Sequence, residues 1–183
     1  MDLHIHSPLD EDTVRKLHAG DMVYITGTVY TARDAAHKRM DEALDEGKEL
    51  PFDVRNNIIY YLGPTPPREN RVIGSAGPTT SGRMDRYTPR LLSMGLKGMI
   101  GKGKRSPEVK QAIVDNKAVY FAAIGGAGAL LSKAIVSSET IAYDDLGTEA
   151  IRKLEVVDLP AIVVIDSEGN DLYETAAGKF AKE

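Results

Sequence analysis

Apolar and polar residues alternate or cluster along this chain in two rhythms. Asp21 to Tyr30 (DMVYITGTVY) is rich in β-branched and aromatic residues and predicts a strand. After it, Ala36, Met40, Ala43 and Leu44 recur at helical spacing, which predicts a helix from about Ala32 to Asp45, capped by Thr31 and stopped by Gly47. Ile58 to Leu62 and Arg71 to Ala76 read as short strands, the first closed by a Gly-Pro-Thr-Pro-Pro loop. Thr88-Pro89 and Ser106-Pro107 each open a helix by the same device, a hydroxyl cap followed by proline, and these helices end at Gly95 and near Asn116. Met99-Ile100 is a short apolar segment. Ala118 to Ile124 is a wholly apolar run with the length of a buried strand, followed by a small-residue helix from Ala129 to about Ile135.

The last third changes rhythm. Glu139–Tyr143, Lys153–Val157, Ala161–Ile165 and Asp171–Glu174 read as strands, with Glu168-Gly169-Asn170 as a hairpin turn. Strands at both ends with helices between them predict an α/β domain. The chain's 183 residues fit a single domain without a second. Glycine-rich turns at 74–82, 101–103 and 125–128 each follow an apolar, strand-like segment, so they are expected to converge at one edge of the sheet, where α/β folds bind ligands.

Composition narrows the function classes. Apolar residues make up 42% and charged residues 27%, a globular balance, and the formal charge of −4 gives no electrostatic reason to expect a nucleic-acid or anionic-membrane partner. No apolar run approaches the ~18 residues that span a bilayer, and MDLHIHSPLDED does not read as a leader, so a soluble cytoplasmic protein is expected. Cysteine is absent, which excludes disulfides, a thiol nucleophile and any cysteine-held metal or cluster carried by this chain alone. His4 and His6 alternate with Leu3 and Ile5 as on one strand face; an ordinary surface face accounts for them better than a metal pair does.

Four segments carry possible chemistry. In GPTTSGRM (77–84), glycine lets backbone N–H groups approach an anion, Thr79, Thr80 and Ser81 add hydroxyls, and Arg83 brings a bidentate fork; a polar β–α turn fits the segment equally well. No Gly-Lys-Ser/Thr closes it as in a nucleotide-binding loop. Lys102 stands between Gly101 and Gly103, either a charge for a small anion or part of a solvated basic turn that runs on to Arg105. Arg33 and His37 are one turn apart at the start of the predicted helix, where a carboxylate can bind and an imidazole can shuttle a proton or orient a partner; both can equally face solvent. The Gly125–Ala129 run lacks the spacing of a dinucleotide fingerprint and is better read as close helix–strand packing.

Taken in order, GTVYTARDAAHKR, GPTTSGRMD, KGMIGKG and FAAIGGAGAL closely resemble the β-subunit, or C-terminal domain, of the iron–sulfur hydro-lyases of the class I fumarase and tartrate dehydratase family, over about Met22 to Gly169. The resemblance implies a swivelling β/β/α domain of the aconitase-like kind. It implies a [4Fe–4S] cluster ligated by a partner α-subunit and not by this chain, with the open iron acting as a Lewis acid on the substrate hydroxyl. Arg33, Arg83 and Lys102 match positions that bind the dicarboxylate, Thr79 the hydroxyl proposed to exchange a proton, and His37 an active-site candidate. The implied function is reversible hydration of fumarate to (S)-malate in a heterotetramer or homo-oligomer. L-tartrate dehydration is the nearest alternative, and a non-catalytic anion-binding module is an alternative of another class.

Overall fold

The computed structural model describes residues 2–62, 77–124 and 131–175. The expected strand at 71–76, the Gly-Pro-rich loop, the glycine run at 125–128 and the start of the following helix fall outside the described residues.

Seven strands form one sheet: β1 (Asp2–Ser7), β2 (Met22–Thr31), β3 (Ile58–Tyr60), β4 (Gly98–Gly101), β5 (Val119–Ala123), β6 (Ile135–Ala142) and β7 (Ile151–Ile165). Their order is β1-β2-β3-β4-β5-β7-β6. β1 through β5 are mutually parallel, whereas β7 runs antiparallel to its neighbours. An additional β2–β7 pairing, from Met22↔Ile162 to Tyr30↔Lys153, closes β2, β3, β4, β5 and β7 into a ring. Helices α1 (Glu11–Lys16), α2 (Asp34–Asp45), α3 (Thr88–Ser93) and α4 (Pro107–Asp115) fill the connections.

The ring explains why the central strands are apolar throughout. A strand sends alternate side chains to opposite faces, so burial on both faces requires continuous hydrophobicity. In β3 and its extension, Ile58, Tyr60 and Leu62 enter one core with Val23, Val29, Ile100, Phe121 and Val163. Ile59 and Tyr61 enter the other, packing with Met40 of α2, Leu92 of α3 and Ile113 of α4. The first core is capped by Val14 of α1 and Leu17 just after it.

Several element boundaries differ from expectation. Thr31 is the last residue of β2 rather than a helix cap; its hydroxyl accepts from Arg152 N–H at 3.0 Å, and α2 begins at Asp34 with Arg33 in the cap position. Ser106 caps α4 as expected, accepting from Val109 N–H at 3.3 Å, but Thr88 lies inside α3 and donates back to Met84 O. Lys153–Val157 and Ala161–Ile165 are halves of one strand, β7, which passes through Asp158 in a left-handed conformation (φ 50°). Gly169 (φ 88°) makes the expected turn, but 172–175 is a helical turn and not a strand. The Asp171 carboxylate accepts from Tyr173 N–H at 2.9 Å, and this local bond competes with strand pairing beyond the single Ile165↔Asp171 bridge. His4 lies on exposed β1, stacked on Tyr24 and 3.3 Å from Asp158, as a surface strand face requires.

Candidate functional site at the ends of the parallel strands

The parallel strands β2, β3 and β4 all deliver their C-terminal ends to one edge of the sheet, and each leads to a residue singled out by sequence. Arg33 follows β2, Thr79 returns beside the end of β3, and Lys102 follows β4. β5 ends at the same edge, but the glycine run after it is outside the described residues.

Thr79 N–H donates to Tyr61 O at 2.6 Å, and Pro78 bridges to Leu62, which seats the GPTT segment alongside β3. Thr80 bridges to Lys102, and Ser81 N–H donates to Lys102 O at 2.8 Å. Ser81 is fully buried. Its hydroxyl lies 2.6 Å from Tyr120 OH, which donates in turn to Gly103 O at 2.8 Å, so the hydrogen of the first bond comes from Ser81. Burial pushes the Tyr120 phenol upward, which keeps it protonated and able to donate. Gly101 makes the close approach possible: a Cβ there would sit 2.0 Å from Ser81 Oγ and 2.7 Å from Tyr61 Cδ2. The Thr79 loop and the Lys102 loop are therefore one locked unit.

Arg83 lies on the 3-10 turn Ser81–Met84 and is more than half exposed; its Nη2 is 2.6 Å from Asp34 Oδ2, which joins this unit to the start of α2. Arg33 occupies the cap position of α2 without a capping side-chain bond, and its Nε is buried with no hydrogen-bond partner. Glu149 supplies a carboxylate to the same helix end, accepting from Ala35 N–H at 3.3 Å. Among the described residues, Arg33 and Lys102 have no ion-pair partner. Cationic groups without an internal ion-pair partner suit a small anion.

His37 does not face solvent. It is 1% exposed, with its ring edge-on to Tyr61 and near Tyr87. Nδ1 is 2.8 Å from Arg33 O; a carbonyl only accepts, so Nδ1 carries the hydrogen, and Nε2 is a buried lone pair without a partner. Burial pushes the imidazole down to about 4 despite that hydrogen bond, so His37 is neutral at neutral pH.

Sequence reasoning missed the support beneath the site. Arg105, taken with the solvated basic turn, has a fully buried side chain. Its Nε lies 2.6 Å from Asp85, its Nη2 donates to Tyr61 OH and Thr88 Oγ1 at 3.1 and 3.0 Å, and its guanidinium packs against the Tyr61 and Tyr120 rings. Asp85 also accepts from Ser106 N–H at 2.8 Å. The one available signal was Asp85 itself, a carboxylate directly after the anion-loop motif.

Residues 1–176 match the model of a family described as Fumarase C-terminus. The chain is 42% identical over 157 residues to the anaerobic class I fumarate hydratase of Escherichia coli K12, covering 85% of this chain and 29% of that protein. It is 41% identical over 156 residues to fumarate hydratase 2 of Leishmania major, covering 84% of this chain and 28% of that protein. A protein of Methanocaldococcus jannaschii, provisionally named L(+)-tartrate dehydratase subunit beta, is 40% identical over 172 residues, covering 91% of this chain and 88% of that protein. The chain thus spans less than a third of the fumarate hydratases named here and most of the subunit-sized relative.

Proposed function

Since the chain belongs to the fumarase C-terminus family, we propose that it is the β-subunit of a two-subunit hydro-lyase that interconverts fumarate and (S)-malate. The observation that carries this reading is the convergence of Arg33, Thr79, Arg83 and Lys102 at one sheet edge, three cations and a hydroxyl around the ends of parallel strands. Dehydratase activity on L-tartrate is the second reading, favoured by the subunit-sized relative.

In this proposal Arg33, Arg83 and Lys102 bind the two carboxylates, whose charges are strongly attracted once a partner closes the edge and expels water. Thr79 holds or moves the proton at the carbon beside a carboxylate. A threonine hydroxyl is a poor base, so this role requires a neighbouring cation to stabilise the developing alkoxide, and Arg83 is on the same loop. His37, neutral and bonded to the Arg33 carbonyl, acts on substrate through Arg33 by fixing the backbone that carries it.

The iron–sulfur cluster implied by the family does not fit this chain's own residues. There is no cysteine, and among the described residues no three His, Cys, Asp or Glu side chains are grouped to hold a metal. We assign the cluster, and the Lewis-acid chemistry it supplies, to a partner α-subunit docked on this edge. No helix among the described residues is long and apolar enough to cross a membrane, and we propose a cytoplasmic assembly of the swivelling β/β/α type.

The test is reconstitution. The chain alone is expected to be inert, and its anaerobic mixture with a cluster-bearing α-subunit is expected to convert malate to fumarate, followed by ultraviolet absorbance. Turnover of tartrate but not malate establishes the second reading; activity from the isolated chain overturns both.

A further inference from the structure

Six buried side-chain polar atoms among the described residues lack a hydrogen-bond partner, and three of them, Arg33 Nε, Asp34 Oδ1 and His37 Nε2, belong to one stretch at the start of α2. Arg33 and His37 already have roles in the proposed reaction. Asp34 does not. Its second oxygen, Oδ2, is the atom 2.6 Å from Arg83 Nη2.

We propose that Asp34 is a positioning residue for Arg83, bracing the guanidinium so that its remaining donors are presented to a dicarboxylate. The substrate named here rests on the hydro-lyase reading; the brace itself does not. A guanidinium carries five N–H donors in a rigid fork, and a partner on one Nη leaves the others available. Arg83 sits on a short turn with its side chain 58% exposed, where an unbraced arginine samples many rotamers and loses that freedom on binding. Its backbone is already fixed, because Ser81 N–H and the Thr80 bridge tie the start of the turn to Lys102. Asp34 fixes the other end of the residue. The carboxylate is itself well placed, in the first turn of a twelve-residue helix where negative charge is favourable.

Charge gives a second consequence. Arg33, Arg83 and Lys102 together carry three positive charges, which the carboxylates of Asp34 and Glu149 at the start of α2 partly offset. An intact Asp34 therefore favours dianions relative to more highly charged acids, which gain most when it is neutralised.

Two measurements decide the matter. The first uses the full chain without a partner and requires no activity. With arginine labelled in nitrogen-15 and the Arg83 signals assigned through Arg83→Lys, Nη rotation of Arg83 is expected to be slow in the parent protein and several-fold faster in Asp34→Asn. Equal rotation in both overturns the brace. The second uses the assembled enzyme in a double-mutant cycle: Asp34→Asn is expected to lower kcat/KM about tenfold in the parent background, to have no further effect beside Arg83→Ala, and to be partly rescued as Asp34→Glu. Losses that add across the two backgrounds indicate a merely structural residue and overturn the proposal. If the assembled parent enzyme turns over no dicarboxylate, the hydro-lyase reading fails, and the rotation measurement alone decides the brace.

Discussion

At the scale of single residues, His37 shows how burial changes what a side chain can do. An imidazole held near a pKa of 4 is a weak base at neutral pH, so its contribution is steric and directional, through Nδ1–H and the Arg33 carbonyl. The shift has a stability signature. In the unfolded chain His37 takes up a proton as the pH falls through about 6.5, whereas in the folded protein it resists until about 4. The unfolded state thus binds more protons across that window, and stability is lost as the pH falls through it. The gap from 6.5 to about 4 corresponds to roughly 3–4 kcal/mol. Urea unfolding at a series of pH values is expected to show a smaller loss between pH 7 and 4.5 for His37→Asn than for the parent, even though the variant starts less stable. Identical slopes would show that His37 does not control the acid limb.

At the scale of elements, the site depends on the register between the Thr79 and Lys102 loops, and Gly101 is where that register is most constrained. Any β-carbon there collides with Ser81 Oγ and the Tyr61 ring, neither of which is free to move, because Ser81 is bonded to Tyr120 and Tyr61 to Arg105. Gly101→Ala is expected to cost about 1–3 kcal/mol by overpacking. Gly82→Ala, whose nearest contact lies at 3.9 Å, is expected to stay within about 0.5 kcal/mol. Thermal unfolding of the two variants side by side checks the contrast. The same elements show what a sequence can reveal. The apolar run at 118–124 and the Ser-Pro start of α4 are legible because local propensity and tertiary burial agree there. The roles proposed for Arg33, Thr79, Arg83 and Lys102 rest on residue type, glycine spacing and family resemblance. Arg105 was not, because a lysine- and arginine-rich turn has the composition of a wet surface, and only the fold brings Asp85, Tyr61 and Thr88 around it. Thr31 and Asp171 misled in opposite ways: Thr31 has the local chemistry of a cap but is held in β2 by the distant Arg152 N–H, whereas Asp171 opens an apparent strand that its own carboxylate turns aside through Tyr173 N–H.

At the scale of the whole molecule, the chain contains no cysteine and so has no thiolate for a cluster or for thiol-directed reagents. In an assembled enzyme, damage by oxygen is therefore expected to fall on the partner. When activity has been lost in air, separating the subunits and remixing each with fresh counterpart should restore turnover with fresh α-subunit and aged copies of this chain. Recovery that instead requires fresh copies of this chain would place the sensitive group here.

The lock between the two loops also decides where such an enzyme can change its taste. Ser81, Tyr120 and Gly103 hold the Thr79 and Lys102 segments together through buried bonds, whereas the start of α2 reaches them at a half-exposed ion pair. The arrangement is a caliper whose jaws both have fixed backbones, and only the α2 jaw ends in partly exposed side chains. A longer or bulkier acid has to be accommodated at the Arg33 and Asp34 side chains, so descendants with altered substrate length should carry their substitutions there and leave the glycine-flanked jaw untouched.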